Sequence, residues 1–256
     1  MALAKAVGYR SAGTVEFLVG GSGDGPDDAS PGNADDAPIA FLEINPRLQV
    51  EHAVTEAVTG RDLVQAQLAV AAGAELPWSQ DQISTRGHAV ECRIYAEDPA
   101  TGFLPDSGTL LRYQEPVGPG IRVDAGVVAG SIVSSYYDAL LAKVITHADT
   151  RVAALARARA ALARFVVLGV RTNIELIGRV LRHPRVVDGR VDTAFLEAEL
   201  DDLLAVADTA DDERRALALV AALTMHDRIE PVASAESTTT GRTDDPWVTL
   251  GGWRLS

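Results

Sequence analysis

The most informative stretch of this 256-residue sequence reads Phe41-Leu-Glu-Ile-Asn-Pro-Arg-Leu-Gln-Val-Glu-His52. If its backbone is extended, successive side chains point to opposite faces. One face would then be aliphatic and would pack against a core. The other face would carry a row of polar side chains, namely Glu43, Asn45, Arg47, Gln49 and Glu51. A surface strand could show the same alternation, but this row is more polar than solubility requires.

The residues before this stretch predict a strand that pairs with it. Thr14–Val19 alternates in the manner of a strand, and Ile39–Asn45 reads as the second strand. If the two strands form a hairpin, Glu16 lies near Glu43 and Asn45. Oxygen ligands of this kind suit Mg²⁺ or Mn²⁺ held together with nucleotide phosphates.

Two side chains further along the polar row suggest chemistry beyond metal binding. Arg47 could hold an oxyanion through two parallel hydrogen bonds. Glu51 could act as a general base if it lies beside a protonated substrate. These residues favour a metal–phosphate site over a decorated surface strand, but periodicity alone does not identify the reaction.

The rest of the chain mixes strands and helices without a steady βαβ rhythm, which indicates the α+β class. Further strands are predicted at Gly87–Tyr95, Thr109–Tyr113, Ile121–Ala125 and Asp138–Thr146. Helices are predicted at Met1–Val7, at Arg61–Ala72, from Asp149 or Thr150 to Phe165, and at Asn173–Leu181, Thr193–Leu204 and Asp211–Met225.

Composition argues against several classes of partner. The chain has 23 Lys and Arg against 36 Asp and Glu, a net charge of −13, and it therefore lacks the basic surplus that nucleic acids or anionic membranes attract. The single cysteine, Cys92, alternates with Val90 and Ile94, which predicts a buried thiol. Because we find no apolar run of about 18 residues and no signal-peptide pattern, we expect a cytoplasmic protein with no membrane partner.

A series of separate motifs runs through the chain in a fixed order. The polar row continues into Val54-Thr-Glu56 and Thr59-Gly60. Beyond it come Arg86-Gly-His-Ala-Val-Glu-Cys-Arg-Ile-Tyr-Ala-Glu-Asp-Pro99, Phe103-Leu-Pro105, Tyr136-Tyr-Asp138 with Lys143, and Gly169-Val-Arg-Thr-Asn173. Together they resemble the signature of biotin carboxylases, which belong to the ATP-grasp superfamily. The resemblance covers most of the chain up to about Leu200 and is far more specific than one short pattern.

The resemblance implies a domain organisation. Residues 1–75 would be the C-terminal part of an ATP-grasp domain, with a loop at 20–38 that is longer than the turn usual in the family. Residues 76–204 would be a biotin carboxylase C-terminal domain, with an antiparallel sheet and packed helices. Residues 205–256 would hold a helix, a Ser/Thr-rich linker and the start of a connection to a further domain, as in acyl-CoA carboxylase α subunits.

The resemblance also implies roles for individual residues. Glu16, Glu43 and Asn45 would bind the Mg²⁺ or Mn²⁺ ions that bridge the ATP phosphates. Bicarbonate would be held by Arg47, Gln49 and the Val50 backbone. Glu51 would remove the bicarbonate proton, so that attack on the γ-phosphate gives carboxyphosphate. The enolate of biotin would be stabilised by Arg93.

The partners follow from the same resemblance. An N-terminal carboxylase segment would supply the lid and lysines that contact ATP, so the fragment is expected to be inactive alone. Biotin would arrive as a substrate on a carrier domain, a carboxyltransferase subunit would receive the carboxyl group, and a homodimer is possible. Two alternatives stay open: a non-catalytic dimerisation or interaction remnant of such an enzyme, and another ATP-grasp ligase.

Some residues in these motifs have simple structural interpretations. His52 is expected to be a packed histidine next to the strand rather than a catalytic group. Glu91 shares a strand face with Arg93 and could simply pair with it. Tyr136-Tyr-Asp138 could be structural or could lie near the biotin end of the site.

Overall fold

The computed structural model describes residues 2–20, 38–205, 218–219 and 221–222. Most of the predicted loop at 20–38, most of the predicted helix Asp211–Met225 and the whole Ser/Thr-rich linker lie outside the described residues. Residues up to Ala205 form one structural unit. In the second unit, which begins at Val206, the four described residues are helical.

A short helix, α1 (Ala2–Ala6), precedes an antiparallel hairpin of β1 (Thr14–Val19) and β2 (Ile39–Asn45). The register places Glu16 directly opposite Glu43, which confirms the predicted pairing of the two strands. Apolar side chains on both faces of this hairpin are exposed, so it contributes little to the buried core. They are Val15, Phe17, Leu18, Val19, Ile39, Phe41, Leu42 and Ile44.

The strand predicted at Ile39–Asn45 is confirmed as β2, but the extended backbone considered as far as Glu51 does not continue beyond Asn45. Pro46 follows and has no N–H group to donate to a strand ladder. The chain turns there, and the Arg47 amide donates to the carbonyl of Asn45 at 2.8 Å. Helix α2 (His52–Thr59) then begins with Glu51 at its N-cap, and the sequence analysis did not predict this helix.

Helix α3 (Leu63–Ala71) follows α2 at once and confirms the helix predicted at Arg61–Ala72. Between the two helices the backbone of Gly60 is left-handed, with φ at 67°, a conformation that glycine adopts without steric cost. The Asp62 carboxylate caps α3 by accepting a hydrogen bond from the Gln65 amide at 2.7 Å. The two helices therefore begin and end at well-defined turns.

The remaining strands belong to antiparallel pairs and one larger sheet. In chain order they are β3 (His88–Tyr95), β4 (Glu97–Asp98), β5 (Leu104–Pro105), β6 (Gly108–Thr109), β7 (Arg112–Gln114), β8 (Ile121–Ala125), β9 (Ile132–Val133), β10 (Leu140–Ala148) and β11 (Val166–Leu168). The larger sheet has the order β3–β10–β8, and the others pair as β4–β5, β6–β9 and β7–β11. In the central strand, Lys143 lies opposite both Arg93 and Asp124.

Four helices complete the described unit, namely α4 (Arg151–Leu162), α5 (Ile174–Val180), α6 (Pro184–Val187) and α7 (Phe195–Ala205). Helix α4 packs on β3 and β10. Its small buried residues allow close contact with the sheet. The main core cluster is Cys92, Ile94, Ala142, Val144, Leu155, Ala158, Ala161, Leu162, Phe165 and Leu181.

These elements confirm the predicted α+β class, since helices pack on antiparallel strands. Strands β4, β5, β9 and β11 and helix α6 were not predicted, because each is too short to show a period. The single strand predicted at Thr109–Tyr113 is divided between β6 and β7. The domain boundary expected between residues 75 and 76 stays a prediction. Among the described residues, no helix combines the length and the apolar character needed to cross a bilayer.

Candidate active site

The hairpin brings together three of the predicted metal ligands. The Asn45 side-chain amide donates to Oε1 of Glu16 at 2.8 Å and to Oε1 of Glu43 at 2.9 Å. Gln49 also donates to Glu16, at 2.7 Å. The amide groups of Asn45 and Gln49 thereby compensate two neighbouring carboxylates that would otherwise repel each other.

This donor set fits a small divalent cation bound together with phosphates. Mg²⁺ is commonly held by one or two carboxylates, with water and substrate phosphates completing its shell. Glu16 and Glu43 provide two carboxylates, and Asn45 provides an amide oxygen. Among the described residues, no group of three or more His, Cys, Asp or Glu side chains is arranged to hold a metal alone. Two carboxylates and an amide oxygen suit a cation that takes its remaining ligands from water and from the phosphates of a nucleotide.

The turn after β2 presents the residues predicted to hold an anion. Arg47 is exposed, and within the described part of the chain its guanidinium makes one long hydrogen bond, of 3.3 Å, to the adjacent carbonyl of Leu48. Nδ1 of His52 lies 2.8 Å from the carbonyl oxygen of Gln49, which agrees with the expected structural role for this histidine. The turn is thus tied at Gln49 and His52, while Arg47 points outward, accessible to a ligand.

An ion pair joins this turn to the main sheet. Arg93 in β3 pairs through Nη2 with Oε2 of Glu51 at the start of α2. The two side chains are 38% and 48% exposed, so solvent and solutes can reach the pair. The sequence analysis placed both residues in one site but did not predict this contact, because no local pattern relates positions 42 residues apart.

Glu91 is the second carboxylate beside Arg93. Its side chain is only 6% exposed, and Oε1 lies 3.5 Å from Nε of Arg93, so the expected pairing is present. Neither carboxylate oxygen receives a hydrogen bond in the described structure. Burial raises the pKa of Glu91 above its ordinary value, although the positive charges of Lys143 and Arg93 oppose the rise.

Lys143, in the central strand β10, holds the backbone of the same turn. Its Nζ donates to the carbonyl of Val50 at 2.7 Å and lies 3.4 Å from Oδ2 of Asp124. The side chain is 11% exposed. Lys143 belongs to one of the motifs of the sequence, but no role was predicted for it. The available signal was a lysine inside an otherwise apolar strand, Leu140-Leu-Ala-Lys-Val-Ile145.

Arg122 links the middle of α2 to the sheet. It donates to Glu56 at 2.7 Å and forms a two-point pair with Asp124 at 2.7 and 2.9 Å. Burial alone would raise the pKa of Asp124, but hydrogen bonds and charge from Arg122, together with the charge of Lys143, lower it. Helix α2 is therefore fixed to the sheet at two places, just before its start through the Val50–Glu51 segment and at its middle through Glu56.

Asn173 secures the end of β3 beyond Arg93. Its side-chain amide donates to the carbonyl of Arg93 at 3.1 Å and accepts from the amide of Tyr95 at 3.0 Å. Its backbone amide donates to the carbonyl of Tyr95 at 3.3 Å. The motif Gly169–Asn173 thus supports the strand that carries Arg93.

Two other sequence motifs take structural positions. Cys92 is buried in the core as predicted, and burial, with a smaller contribution from Glu91, raises the pKa of its thiol to about 12. Tyr136 and Tyr137 are highly exposed, and Asp138 accepts a hydrogen bond from the Leu140 amide at 2.8 Å. Whether this Tyr-Tyr-Asp segment meets biotin stays a prediction.

Two known families match the two segments of the chain that form this site. Residues 1–79 match the family described as "Carbamoyl-phosphate synthase L chain, ATP binding domain", and residues 91–198 match the "Biotin carboxylase C-terminal domain". The chain belongs to the biotin carboxylase family. Its members are ATP-dependent carboxylating ligases, and the expected ATP-grasp remainder and C-terminal domain are confirmed.

Curated relatives extend this result. The chain is 45% identical over 223 residues to the mitochondrial propionyl-CoA carboxylase alpha chain of Sus scrofa, covering 86% of this chain and 29% of the relative. It is 45% identical over 197 residues to a biotin carboxylase of Halalkalibacterium halodurans, covering 77% of this chain and 40% of the relative. The chain therefore spans less than half the length of these relatives.

Solved structures agree with this family. The biotin carboxylase domain dimer of Hydrogenobacter thermophilus 2-oxoglutarate carboxylase, in complex with MgADP, ADP and bicarbonate, matches with a TM-score of 0.70. The identity is 40%, and the match covers 78% of this chain and 41% of that one. At this identity the likeness concerns both fold and family.

Proposed function

We propose that this chain forms part of the active centre of an ATP-dependent biotin carboxylase that makes carboxybiotin from bicarbonate through carboxyphosphate. The observation that carries the proposal is the Glu51–Arg93 ion pair. It joins the carboxylate suited to deprotonate bicarbonate to the guanidinium suited to stabilise an enolate. The two residues come from the two separately matched segments.

Each group in the site has a task that its chemistry can perform. Glu16, Glu43 and Asn45 would hold Mg²⁺ or Mn²⁺, which supplies neutralisation of phosphate charge. Arg47, Gln49 and the Val50 backbone would bind and orient bicarbonate, as a guanidinium and amides can do for an oxyanion. Glu51 would take its proton. Arg93 would stabilise the enolate oxygen of biotin in the manner of an oxyanion hole.

The ion pair must open for this chemistry, because Glu51 and Arg93 would each need to face a substrate. Half-exposed ion pairs contribute only about 0–1 kcal/mol to stability. Bicarbonate and biotin can therefore replace the pair at small cost. Within the pair, each charge neutralises the other.

The proposal names partners as well as residues. An N-terminal carboxylase segment would complete the ATP site, a biotinyl carrier domain would deliver biotin, and a carboxyltransferase subunit would accept the carboxyl group. The likeness to subunits of biotin-dependent carboxylases, and to a dimeric domain, supports these partners and a homodimer. A cytoplasmic location belongs to the same proposal.

Reconstitution tests this function directly. The chain is combined with the part of the Halalkalibacterium halodurans biotin carboxylase that precedes the matched region, and ADP release is measured with bicarbonate and free biotin. We expect release that depends on both substrates. Glu51→Gln should lower kcat by about 10²–10⁴-fold, since a general base would be lost. Arg93→Ala should lower it by about 10²–10³-fold.

The matched control is Arg190→Ala. Arg190 is a half-exposed arginine that pairs with Asp188, outside the candidate site. The substitution Arg190→Ala should leave the turnover of the reconstituted assembly unchanged. A folded assembly without biotin-dependent turnover would contradict the proposal and favour a non-catalytic interaction module. Equal effects of Arg93→Ala and Arg190→Ala would contradict the role of Arg93.

A further inference from the structure

Lys143 is a charged residue within a buried, largely apolar strand. It lies directly opposite Arg93 on one neighbouring strand, where like charges destabilise a sheet, and opposite Asp124 on the other. Its neighbours along the strand, Leu141, Ala142, Val144 and Ile145, are buried apolar residues. A charged residue among buried apolar neighbours is an exception to the usual pattern of a core strand, and such exceptions occur chiefly at functional sites.

The contacts of Lys143 indicate what its position in the sheet achieves. Its ammonium donates to the carbonyl of Val50 at 2.7 Å, across 93 residues of sequence. This carbonyl and the amide of Glu51 share one rigid peptide plane. Fixing the carbonyl therefore fixes the backbone from which the Glu51 side chain extends. Asp124, 3.4 Å away, supplies a counter-charge that keeps the lysine in place.

The surrounding charges make the placement specific. Glu51 and Glu91 face Arg93, while Asp124 faces Lys143 and Arg122. Each cation of the sheet face thus has a carboxylate partner, and Lys143 and Arg122 share Asp124. Lys143 alone among these cations also donates to the backbone of the Val50–Glu51 segment. An apolar residue at position 143 would leave that carbonyl without its donor.

We propose that Lys143 is a positioning residue that holds the Val50–Glu51 peptide in the orientation required for bicarbonate. This inference rests on the proposed function and deepens it, because it adds the side chain that fixes the bicarbonate-binding turn. Lys143 does not touch the substrate. It acts through the Val50 carbonyl, and Asp124 holds it there.

Hydrogen exchange on the chain itself gives the first test. The amides of Arg47, His52 and Val54 are hydrogen-bonded within the turn and the first turn of α2. Lys143→Met keeps most of the side-chain length but removes the donor. We expect exchange in residues 47–54 to rise about tenfold or more, since a hydrogen bond to a charged group is lost. Lys143→Arg, which keeps a donor, should restore most of the protection.

Lys5→Met is the matched control, because Lys5 and Lys143 are the only lysines of the sequence and Lys5 is exposed on α1. It should leave exchange in 47–54 unchanged. Unaltered protection in Lys143→Met would overturn the inference. This measurement needs no turnover, so it stays decisive even if the reconstituted assembly is inactive and the proposed function fails.

Kinetics of the reconstituted assembly give the second test. Lys143→Met should raise KM for bicarbonate about tenfold, while KM for ATP stays within about twofold. A residue that only supported the fold would lower the active fraction, and hence kcat, without moving either KM. Unchanged KM for bicarbonate, or equal rises in both KM values, would overturn the positioning role.

Discussion

Glu91 shows how one residue can carry an energetic cost inside this fold. Its carboxylate is almost completely buried and receives no hydrogen bond among the described residues. An ionised carboxylate in such a place is disfavoured unless nearby cations compensate. Arg93 and Lys143 compensate in part, but the pKa of Glu91 remains raised.

This raised pKa predicts a pH-dependent stability. As pH increases from the ordinary glutamate value to the raised one, the unfolded chain releases the Glu91 proton while the folded chain still holds it. The folded state therefore loses stability across that window. A glutamine at position 91 cannot ionise. The free energy of unfolding of Glu91→Gln, measured relative to that of the unmodified chain, should therefore increase as the pH rises from about 4 to about 7. Urea unfolding at both pH values measures the difference.

Glu197→Gln is the control for this experiment, since Glu197 is an exposed residue of α7. The free energy of unfolding of Glu197→Gln, relative to that of the unmodified chain, should vary less with pH than the corresponding value for Glu91→Gln. If the stability difference for Glu91→Gln were the same at pH 4 and pH 7, or fell as pH rose, the explanation by burial would be wrong.

At the scale of elements, Gly169 controls how β11 meets its neighbours. Its φ is +111°, and a Cβ atom there would lie 2.0 Å from the carbonyl oxygen of Thr109 and 2.9 Å from the amide of Leu111. A side chain at this position would be strained by its backbone and would also collide with another strand. The motif that begins at Gly169 therefore requires glycine.

Gly169→Ala and Gly60→Ala form a matched pair that separates these two effects. Gly60 has φ at +67° but meets nothing within 4 Å. Gly60→Ala should cost about 1–2 kcal/mol through left-handed strain alone. Gly169→Ala should cost about 1–3 kcal/mol more, because the backbone must move. Denaturant unfolding gives both values, and equal costs would show that the strand contact at Gly169 is loose.

The predictability of the elements follows from how local their signals are. Strands β1, β2, β3 and β10 and helix α4 were predicted, because each is long enough to show its period. Helix α2 was missed because the polar alternation runs on past Pro46, where the strand actually stops. The glutamates and the asparagine of the hairpin were placed correctly because strand pairing fixes their register.

The contacts between distant segments could not be predicted in this way. Family resemblance named Glu51 and Arg93 but not their ion pair, and it gave no role to Lys143, Asp124 or Arg122. These contacts depend on how α2 lies on the sheet. No periodicity in the sequence encodes that arrangement, so the roles of the site residues stay proposals.

On the scale of the whole described unit, stability is concentrated in one region. The main cluster of buried side chains lies in β3, β10, α4 and α5 and their flanks, whereas the hairpin β1–β2 exposes apolar residues on both faces. Regions with few buried apolar contacts open at lower free energy than the core. The metal-ligand candidates Glu16 and Glu43 therefore stand on a less stable element than Arg93.

Hydrogen exchange along the whole chain tests this division. Amides of β10 should exchange several orders of magnitude more slowly than amides of β1 and β2, as core elements do relative to locally unfolding ones. Both sets belong to antiparallel strands, so strand geometry is the same for each. Equal protection would show that the hairpin and the main sheet unfold together. Added Mg²⁺ with ATP in the reconstituted assembly should raise protection in the hairpin selectively.

Asn173 also determines how the edge of the main sheet behaves towards other protein molecules. Strand β3 is an outer strand, and unpaired groups on an outer strand are a template for aggregation. The Asn173 side chain and backbone occupy the carbonyl of Arg93 and both backbone groups of Tyr95. At this point of the edge, three backbone groups that a foreign strand could pair with are already occupied. The asparagine that supports Arg93 thus also keeps the sheet from growing by recruiting a second chain at that point.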